Sequence, residues 1–393
     1  MIWTMLRLGG SALLLLVIVA LLAVVIVPRF LDRVYYRGAP SDHFDGERFF
    51  NPEGGEDTLR PPTGRSNRGF LLRYLLNRDD RPAWPEHVAV TPSVPPARVE
   101  GDRMLVTWVG HATALIQTQG LNILTDPVWS DVAGPFGRIG PRRVAAPGIA
   151  FDDLPKIDVV LVSHNHYDHL DLATLGRLWR RDRPRIVTSL GNDAIIAKAG
   201  AEATALDWGG SVAVKPGVEV VVTPAHHWTS RWFTDRNRAL WSGFVVTLPG
   251  GNLYYSGDTG AGGFGWADKA ASYGPIRLAL LPIGAFRFTA GQMASGAHMG
   301  PLDAVEAYRR TGAARAIAVH WGTFRLSYEA YGTPPRMLKA AMRCAGMDPA
   351  RFDTVAIGAA IEVPAYQAPP ATAEVPREQR LACLDTPEIR ALR

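Results

Sequence analysis

The sequence predicts an α/β domain of sheets covered by helices, carried behind a single N-terminal membrane-spanning helix. From Met104 onward, short apolar runs alternate with turn residues, the texture of strands in meanders. Longer patterns of helical period lie at Leu172–Arg181, Leu302–Arg310 and Pro335–Ala345, some of them between strands, which suits helices laid over sheets. Ahead of both, Leu8 to Val27 is a 20-residue stretch without a charge, the length that crosses a hydrocarbon core of about 30 Å.

In chain order, residues 8–27 are the expected transmembrane anchor. A cleaved signal peptide with Arg7 as its charged start is the rival, but the run is long for one. It ends in Val27-Pro28-Arg29 rather than in a small-x-small cleavage site. Arg29, Arg33 and Arg37 follow the helix, against Arg7 and the amino terminus before it, so the positive-inside rule leans towards a cytoplasmic body. Residues 28–100 read as an irregular wrap or linker, rich in Pro, Gly, Arg and aromatics, as in Phe49-Phe50-Asn51-Pro52 and Arg60-Pro61-Pro62. Within it Phe70, Leu71, Tyr74 and Leu75 share one helical face ringed by Arg68, Arg73 and Arg78, which reads as a short helix docked on the domain, with a membrane surface as the alternative.

Residues 101–364 are the expected folded domain. Its candidate strands are Met104–Val109, Thr113–Gln117, Asn122–Leu124, Val159–Val162, Ile186–Thr188, Glu219–Val222, Phe244–Leu248, Asn252–Tyr255, Leu278–Leu281 and Ala316–Val319. No internal repeat is visible. Residues 365–393 carry Pro, Ala and charge without periodicity and are expected as a C-terminal tail.

A chain of 393 residues with 47% apolar and 20% charged residues buries one large core or two modest ones, which excludes a disordered protein. The net charge of +5, from 42 basic against 37 acidic residues, suits anionic surfaces such as lipid headgroups. No nucleic-acid partner is expected, because no zinc finger, recognition helix or aromatic-plus-basic repeat is present. Cys344 and Cys383 are the two cysteines, so neither a disulfide framework nor a Cys-based zinc site is expected. Any metal must sit on histidines and carboxylates.

Several strands end in such groups: Leu124-Thr125-Asp126, Val162-Ser163-His164, Val222-Thr223-Pro224-Ala225-His226-His227, Ser256-Gly257-Asp258 and Val319-His320. The densest segment is His164-Asn165-His166-Tyr167-Asp168-His169. Leaving an extended strand, His164 and His166 point the same way at a spacing of two. Asp168 and His169 follow on the turn into the next helix, so one short loop can serve two adjacent metals. Zinc accepts both imidazole nitrogen and carboxylate oxygen. Four such groups in six residues are hard to explain as core polar residues, given the cost of burying them unpaired.

That motif, with Asp258 and His320 downstream, resembles the metallo-β-lactamase superfamily. More narrowly, Val109-Gly110-His111-Ala112-Thr113, Leu124-Thr125-Asp126-Pro127, Gly140-Pro141-Arg142-Arg143, the His164–His169 loop, His227-Trp228, Gly257-Asp258-Thr259-Gly260, Pro282-Ile283-Gly284-Ala285 and His320-Trp321-Gly322-Thr323-Phe324 resemble the phospholipases D that hydrolyse N-acylphosphatidylethanolamine. The resemblance runs in order from Asp42 to Gly358. It implies an αββα sandwich and two zinc ions, one on His164, His166 and His227, the other on Asp168, His169 and His320, with Asp258 between them. His227 is taken over His226 because it precedes Trp228, as in the family pattern. Asp126 is expected to accept from a ligating imidazole and His111 to fix the loop behind the ligands. His298, in Ser295-Gly296-Ala297-His298-Met299-Gly300-Pro301, is placed beside the substrate phosphate. Asp168 and His298 are thus the expected catalytic residues.

The implied reaction is hydrolysis of an N-acylated phosphatidylethanolamine to phosphatidate and an N-acylethanolamine, with a phospholipid as partner and a membrane as its place. The alternatives are a dizinc lactonase or another esterase similar to the ascorbate-6-phosphate lactonase group, and, from another class, a membrane-tethered scaffold with a vestigial site.

Overall fold

The structure, a computed structural model, describes residues 2–31, 33–54, 81–232, 234–288, 292–370 and 373–392. The Phe70–Leu75 face expected within the wrap lies outside them. Helix α1 (Ile2–Leu31) is long and apolar enough to cross a membrane, and its side chains from Leu8 to Val24 are exposed. Residues 33–54 form no helix or strand but are tied to the domain. Phe44 and Phe49 are buried against Leu240 and Trp241, the Tyr35 hydroxyl donates to Asp235 at 2.9 Å, and Asn51 Nδ2 donates to the His227 carbonyl at 3.0 Å.

Two seven-stranded sheets follow. The first takes strands β1 (Met104–Gly110), β2 (Thr113–Thr118), β3 (Leu121–Thr125), β4 (Val159–Val162), β5 (Arg185–Ser189) and β6 (Ala203–Leu206). The second takes β7 (Ser211–Lys215), β8 (Val218–Thr223), β9 (Gly243–Thr247), β10 (Asn252–Tyr255), β11 (Ile276–Pro282), β12 (Arg315–Val319) and β13 (Phe352–Asp353). Strand β14 (Ala360–Val363) returns to pair antiparallel with β1 and closes the first sheet. In each sheet antiparallel pairs give way to parallel ones, at β3–β4 in the first and at β10–β11 in the second.

Alternation decides what each strand buries. In β4, Val159 and Leu161 face the core between the sheets, while Val160 and Val162 face the outer helices, which explains an all-apolar run. Helix α2 (Leu172–Asp182) covers the first sheet with Leu175 and Leu178. Its first turn is capped by Asp171, whose carboxylate accepts from the backbone N–H groups of Ala173 and Thr174. A short α3 (Asn192–Ile196) packs beside it, while α4 (Gly265–Ala271), α5 (Pro301–Thr311) and α6 (Thr333–Cys344) cover the second sheet. The layers run helix, sheet, sheet, helix, as expected.

One expectation is corrected. Residues 365–393 carry α7 (Arg377–Leu384) and α8 (Pro387–Arg390), and Leu384 is buried in the outer core of the second sheet. Arg380 pairs with Glu306 at 3.1 Å and Arg377 with Asp303 at 2.5 Å, so ion pairs to α5, rather than an apolar stripe, hold this segment. In addition, Cys344 and Cys383 form one disulfide, with Cα atoms 5.7 Å apart, that fastens α7 to α6. It is a single clasp rather than a framework.

Candidate metal centre

The site lies along the edge where strands of both sheets end. His164 follows β4, and His166, Asp168 and His169 turn immediately into α2. His227 follows β8, Asp258 follows β10 and His320 follows β12. His111 makes the turn between β1 and β2, and Asp126 follows β3. His111, Asp126 and His320 all adopt positive φ, at 54°, 29° and 60°. Non-glycine residues are held there only when the surroundings over-determine them. Here each re-aims its side chain as the strand ends.

The seven expected ligands come together. His164 Nε2 lies 2.8 Å, and His227 Nε2 3.3 Å, from His166 Nδ1. On the other side, Asp168 Oδ2 is 3.5 Å from His169 Nε2 and 3.4 Å from His320 Nε2. Asp258 Oδ2 stands between the two groups, 3.1 Å from His169 Nε2, 3.0 Å from His320 Nε2 and 3.9 Å from His227 Nε2. His226 lies outside the cluster, beside Gly262, whereas His227 is in it.

Glycine makes the convergence possible. At Gly257, with φ +61°, a Cβ would lie 2.6 Å from the Ser163 Cβ, and at Gly260 it would lie 1.9 Å from the Gly296 carbonyl oxygen. The second approach seats the His298 loop on the Asp258 loop. His298 Nδ1 is consequently 3.8 Å from Asp258 Oδ2, and its ring centroid is 5.0 Å from that of His227. The residue expected beside a substrate phosphate therefore faces the cluster, and with His227 and Asp258 it makes a further trio close enough to share an ion.

Asp126 and His111 each contact one of the expected ligands, and both are close enough to the cluster to hold an ion themselves. Asp126 Oδ2 accepts from His169 Nδ1 at 2.6 Å, and His111 Nε2 donates to Asp168 Oδ2 at 2.9 Å. Sequence reasoning missed Ser163, whose hydroxyl donates to Asp126 at 2.5 Å and lies 2.9 Å from His164 Nδ1, and Tyr255, whose hydroxyl donates to the same carboxylate. It also missed the Ala297 carbonyl, which accepts from His227 Nδ1 at 2.9 Å, and Arg231, which holds the metal loop by donating to the carbonyls of Asn165 and Leu170. The signal available for Tyr255 was its place three residues before Asp258 at the end of a buried strand.

Electrostatics and orphaned atoms test whether the residues fit a metal. Burial lowers the pKa of His111 and of His166 to about 3 and that of His298 to about 4. Burial also opposes charge on His320, but the Asp258 and Asp168 carboxylates hold it up at about 9. Both carboxylates stay well below the usual range against their burial, chiefly through the charge on His169. The buried His166 Nε2 and Asp258 Oδ1 have no hydrogen-bond partner, and the Nε2 atoms of His169 and His320 meet only the Asp258 and Asp168 carboxylates, at 3.0–3.5 Å and outside hydrogen-bond geometry. Orphaned buried polar atoms are costly, and a metal that displaces the histidine protons would satisfy them together. The donor set is imidazole and carboxylate, apt for a divalent transition metal.

Comparison with known proteins agrees. A sequence profile of the beta-lactamase superfamily domain matches residues 121–321. An uncharacterised protein of Mycobacterium tuberculosis is 38% identical over 267 residues, covering 66% of this chain and 69% of its own length. N-acyl-phosphatidylethanolamine-hydrolyzing phospholipase D 1 of Caenorhabditis elegans is 35% identical over 244 residues, covering 59% of this chain and 68% of its own. Among solved structures, Igni18, a metallo hydrolase from Ignicoccus hospitalis, shares the fold with a TM-score of 0.50 at 21% identity, over 66% of this chain and 98% of its own. With a ligand edge of this geometry and these relatives, the chain belongs to the metallo-β-lactamase superfamily and is a metal-dependent hydrolase of the branch that includes N-acylphosphatidylethanolamine-hydrolysing phospholipases D.

Proposed function

We propose that this chain is a membrane-held dizinc phosphodiesterase that hydrolyses N-acylphosphatidylethanolamine to phosphatidate and an N-acylethanolamine. The observation that carries the reading is a continuous cluster of metal-capable groups, with His164, His166 and His227 at one end, Asp168, His169 and His320 at the other and Asp258 Oδ2 within 3.9 Å of His227, His169 and His320, in a chain related to a nematode enzyme named for this reaction. His164, His166 and His227 would hold one zinc and Asp168, His169 and His320 the other. When bound, the pair supplies a water acidified towards neutrality and a clamp for phosphate oxygens.

The chain's own residues do the rest. His111 keeps the Asp168 carboxylate turned towards His169 and His320, and Asp126 fixes the tautomer and angle of His169. His298 offers a ring nitrogen without a hydrogen-bond partner beside the cluster, where it can orient a phosphate oxygen or protonate the leaving alkoxide. Helix α1 would keep the site against a substrate that never leaves the bilayer. For its orientation, the Cys344–Cys383 disulfide weighs against the lean of the flanking arginines, because disulfides persist in oxidising compartments. We place the catalytic body on that side, to be checked by labelling with an impermeant reagent.

The deciding assay compares turnover of N-acylphosphatidylethanolamine, a lactone and bis-p-nitrophenyl phosphate, each with a chelator control. The expected outcome is lipid hydrolysis that a chelator abolishes and zinc restores. Faster lactone opening would move the chain to the lactonase reading, and no turnover on any substrate would leave a tethered scaffold. Within that assay, His298→Ala should lower lipid turnover by roughly 10²–10⁴-fold, the range for a general acid, with zinc content unchanged. Bis-p-nitrophenyl phosphate, whose leaving group needs no proton, sorts the role: a small loss there marks a proton donor, an equal loss an orienting group. Full lipid activity in the variant would make His298 a bystander.

A further inference from the structure

We propose that a cavity at the root of α1, separate from the metal centre, binds the phosphate headgroup of an anionic phospholipid of the host bilayer. The proposal rests on α1 being a membrane anchor but not on the identity of the hydrolysed substrate. The cavity has a volume of about 640 Å³, and none of the ligand-cluster residues lines it. Three cations do: Arg33, Lys198 and Arg231. Its other walls are largely apolar, with Val132, Phe136, Ile195 and Trp232 among them. Cations in a largely apolar lining fit a headgroup with the start of its acyl chains better than a free inorganic anion.

Three observations support a membrane lipid as the occupant. First, Arg33 follows the last residue of α1 by two positions, and the apolar run ends at Val27. At a helical rise of about 1.5 Å to Leu31 and no more than about 3.4 Å per residue after it, the Arg33 backbone lies at most roughly 13 Å beyond the hydrocarbon edge, which leaves a headgroup layer about 5–8 Å deep within reach of its long side chain. Secondly, Phe136 and Ile139, on either side of Arg138, are 81% and 60% exposed on the loop that rims the cavity. Bulky apolar tips interleaved with a cation beside an anchor suit burial at the interface.

Thirdly, the local charge is positive in excess: Arg33, Lys198 and Arg231 stand with two carboxylates, Asp171 on the cavity wall and Asp235 beside it. Partial desolvation and the neighbouring charges of Arg33 and Arg231 lower the pKa of Lys198. Both acids are held by neutral donors rather than by direct ion pairs to these cations. Asp171 accepts from the Ala173 and Ser130 N–H groups and from the Thr174 hydroxyl. Asp235 accepts from the Tyr35 and Ser230 hydroxyls and from backbone N–H groups of residues 231 and 232. The cavity also touches the back of the metal loop, because Arg231 stacks over Tyr167, its guanidinium 3.9 Å from the ring centroid, and grips that loop's carbonyls. A bound headgroup would set the tilt of the catalytic edge on the membrane.

The test is native mass spectrometry of the full chain, released from a neutral detergent, after titration with phosphatidylglycerol, phosphatidylcholine or inorganic phosphate. Wild type should retain a phosphatidylglycerol adduct that phosphatidylcholine does not match and that inorganic phosphate at equal concentration does not displace. The double variant Arg33→Glu, Lys198→Glu should lose that adduct by at least about tenfold, since each interfacial cation contributes on the order of 1 kcal/mol. Unchanged metal content would show that the variant is folded, and Phe136→Asp should weaken the adduct independently. Adducts that survive the double variant, or that form equally with phosphatidylcholine, overturn the proposal while leaving the phosphodiesterase reading intact. Displacement by inorganic phosphate overturns it in favour of a free-anion site. Release of the chain from membranes by carbonate overturns the anchor reading and this proposal with it.

Discussion

Strands β1 to β6 and strands β7 to β13 each pass from antiparallel to parallel pairing across their sheet, and both sheets end along the same ligand-bearing edge. They furnish that edge differently. The first sheet sends four candidate ligands from a single loop, His164 to His169, at the end of β4. The second sends three from three separate strand ends: His227, Asp258 and His320. One half therefore presents a compact local motif. The other depends on the register of β8, β10 and β12 being right at once, and it supplies the carboxylate that stands between the two groups.

The strongest test of that difference is Asp258→Ala. Elemental analysis should show zinc falling from two equivalents to below one, with hydrolysis reduced by at least about 10³-fold, because the variant removes the charge shared by both groups. His320→Ala should cost a single equivalent. If Asp258→Ala kept one ion at full occupancy, the shared role would be lost and the two halves would be equivalent.

This asymmetry also explains what the sequence made legible. His164, His166, Asp168 and His169 were readable from spacing alone, since a strand followed by a turn brings them together whatever the rest of the chain does. His227, Asp258 and His320 lie dozens of residues away and were assigned through family resemblance. Ser163 and Tyr255 were missed because their partner, Asp126, is reached across strands. The central strands were legible, but β6, β7, β13 and β14 were not: Ala203–Leu206 is half-buried and short, Ser211–Lys215 and Ala360–Val363 are partly exposed edges, and Phe352–Asp353 is two residues long. The C-terminal helices were hidden because charges and one disulfide, not apolar periodicity, hold them.

A finer test concerns the support behind the compact loop. Asp126→Asn keeps the shape of the side chain but weakens its hold on His169 Nδ1 and on the Ser163 and Tyr255 hydroxyls. Metal affinity or turnover should fall by roughly 10–100-fold, the usual effect of disturbing a ligand's outer partner. A wild-type value would mean that the loop is pre-organised by Arg231 and its own backbone, sharpening the contrast between the halves.

The smallest expected effect on chemistry comes from the clasp over the second sheet. Cys344→Ser should lower unfolding stability by about 2–4 kcal/mol while metal content and turnover per folded molecule stay unchanged. Denaturant titration read beside elemental analysis separates the two. Loss of metal at full stability would show that the outer helices govern the strand ends after all.

The ties between residues 33–54 and the domain have a consequence for reach. With Tyr35 bonded to Asp235, Phe44 and Phe49 buried, and Asn51 on the His227 carbonyl, little slack chain separates the anchor from the body. An anchored hydrolase built this way searches for lipid in two dimensions, and its rate follows the mole fraction of substrate in its own bilayer rather than the bulk concentration. On the proposed anchoring and substrate it would work in cis, and lipid held in a second population of vesicles should go untouched until the two membranes fuse.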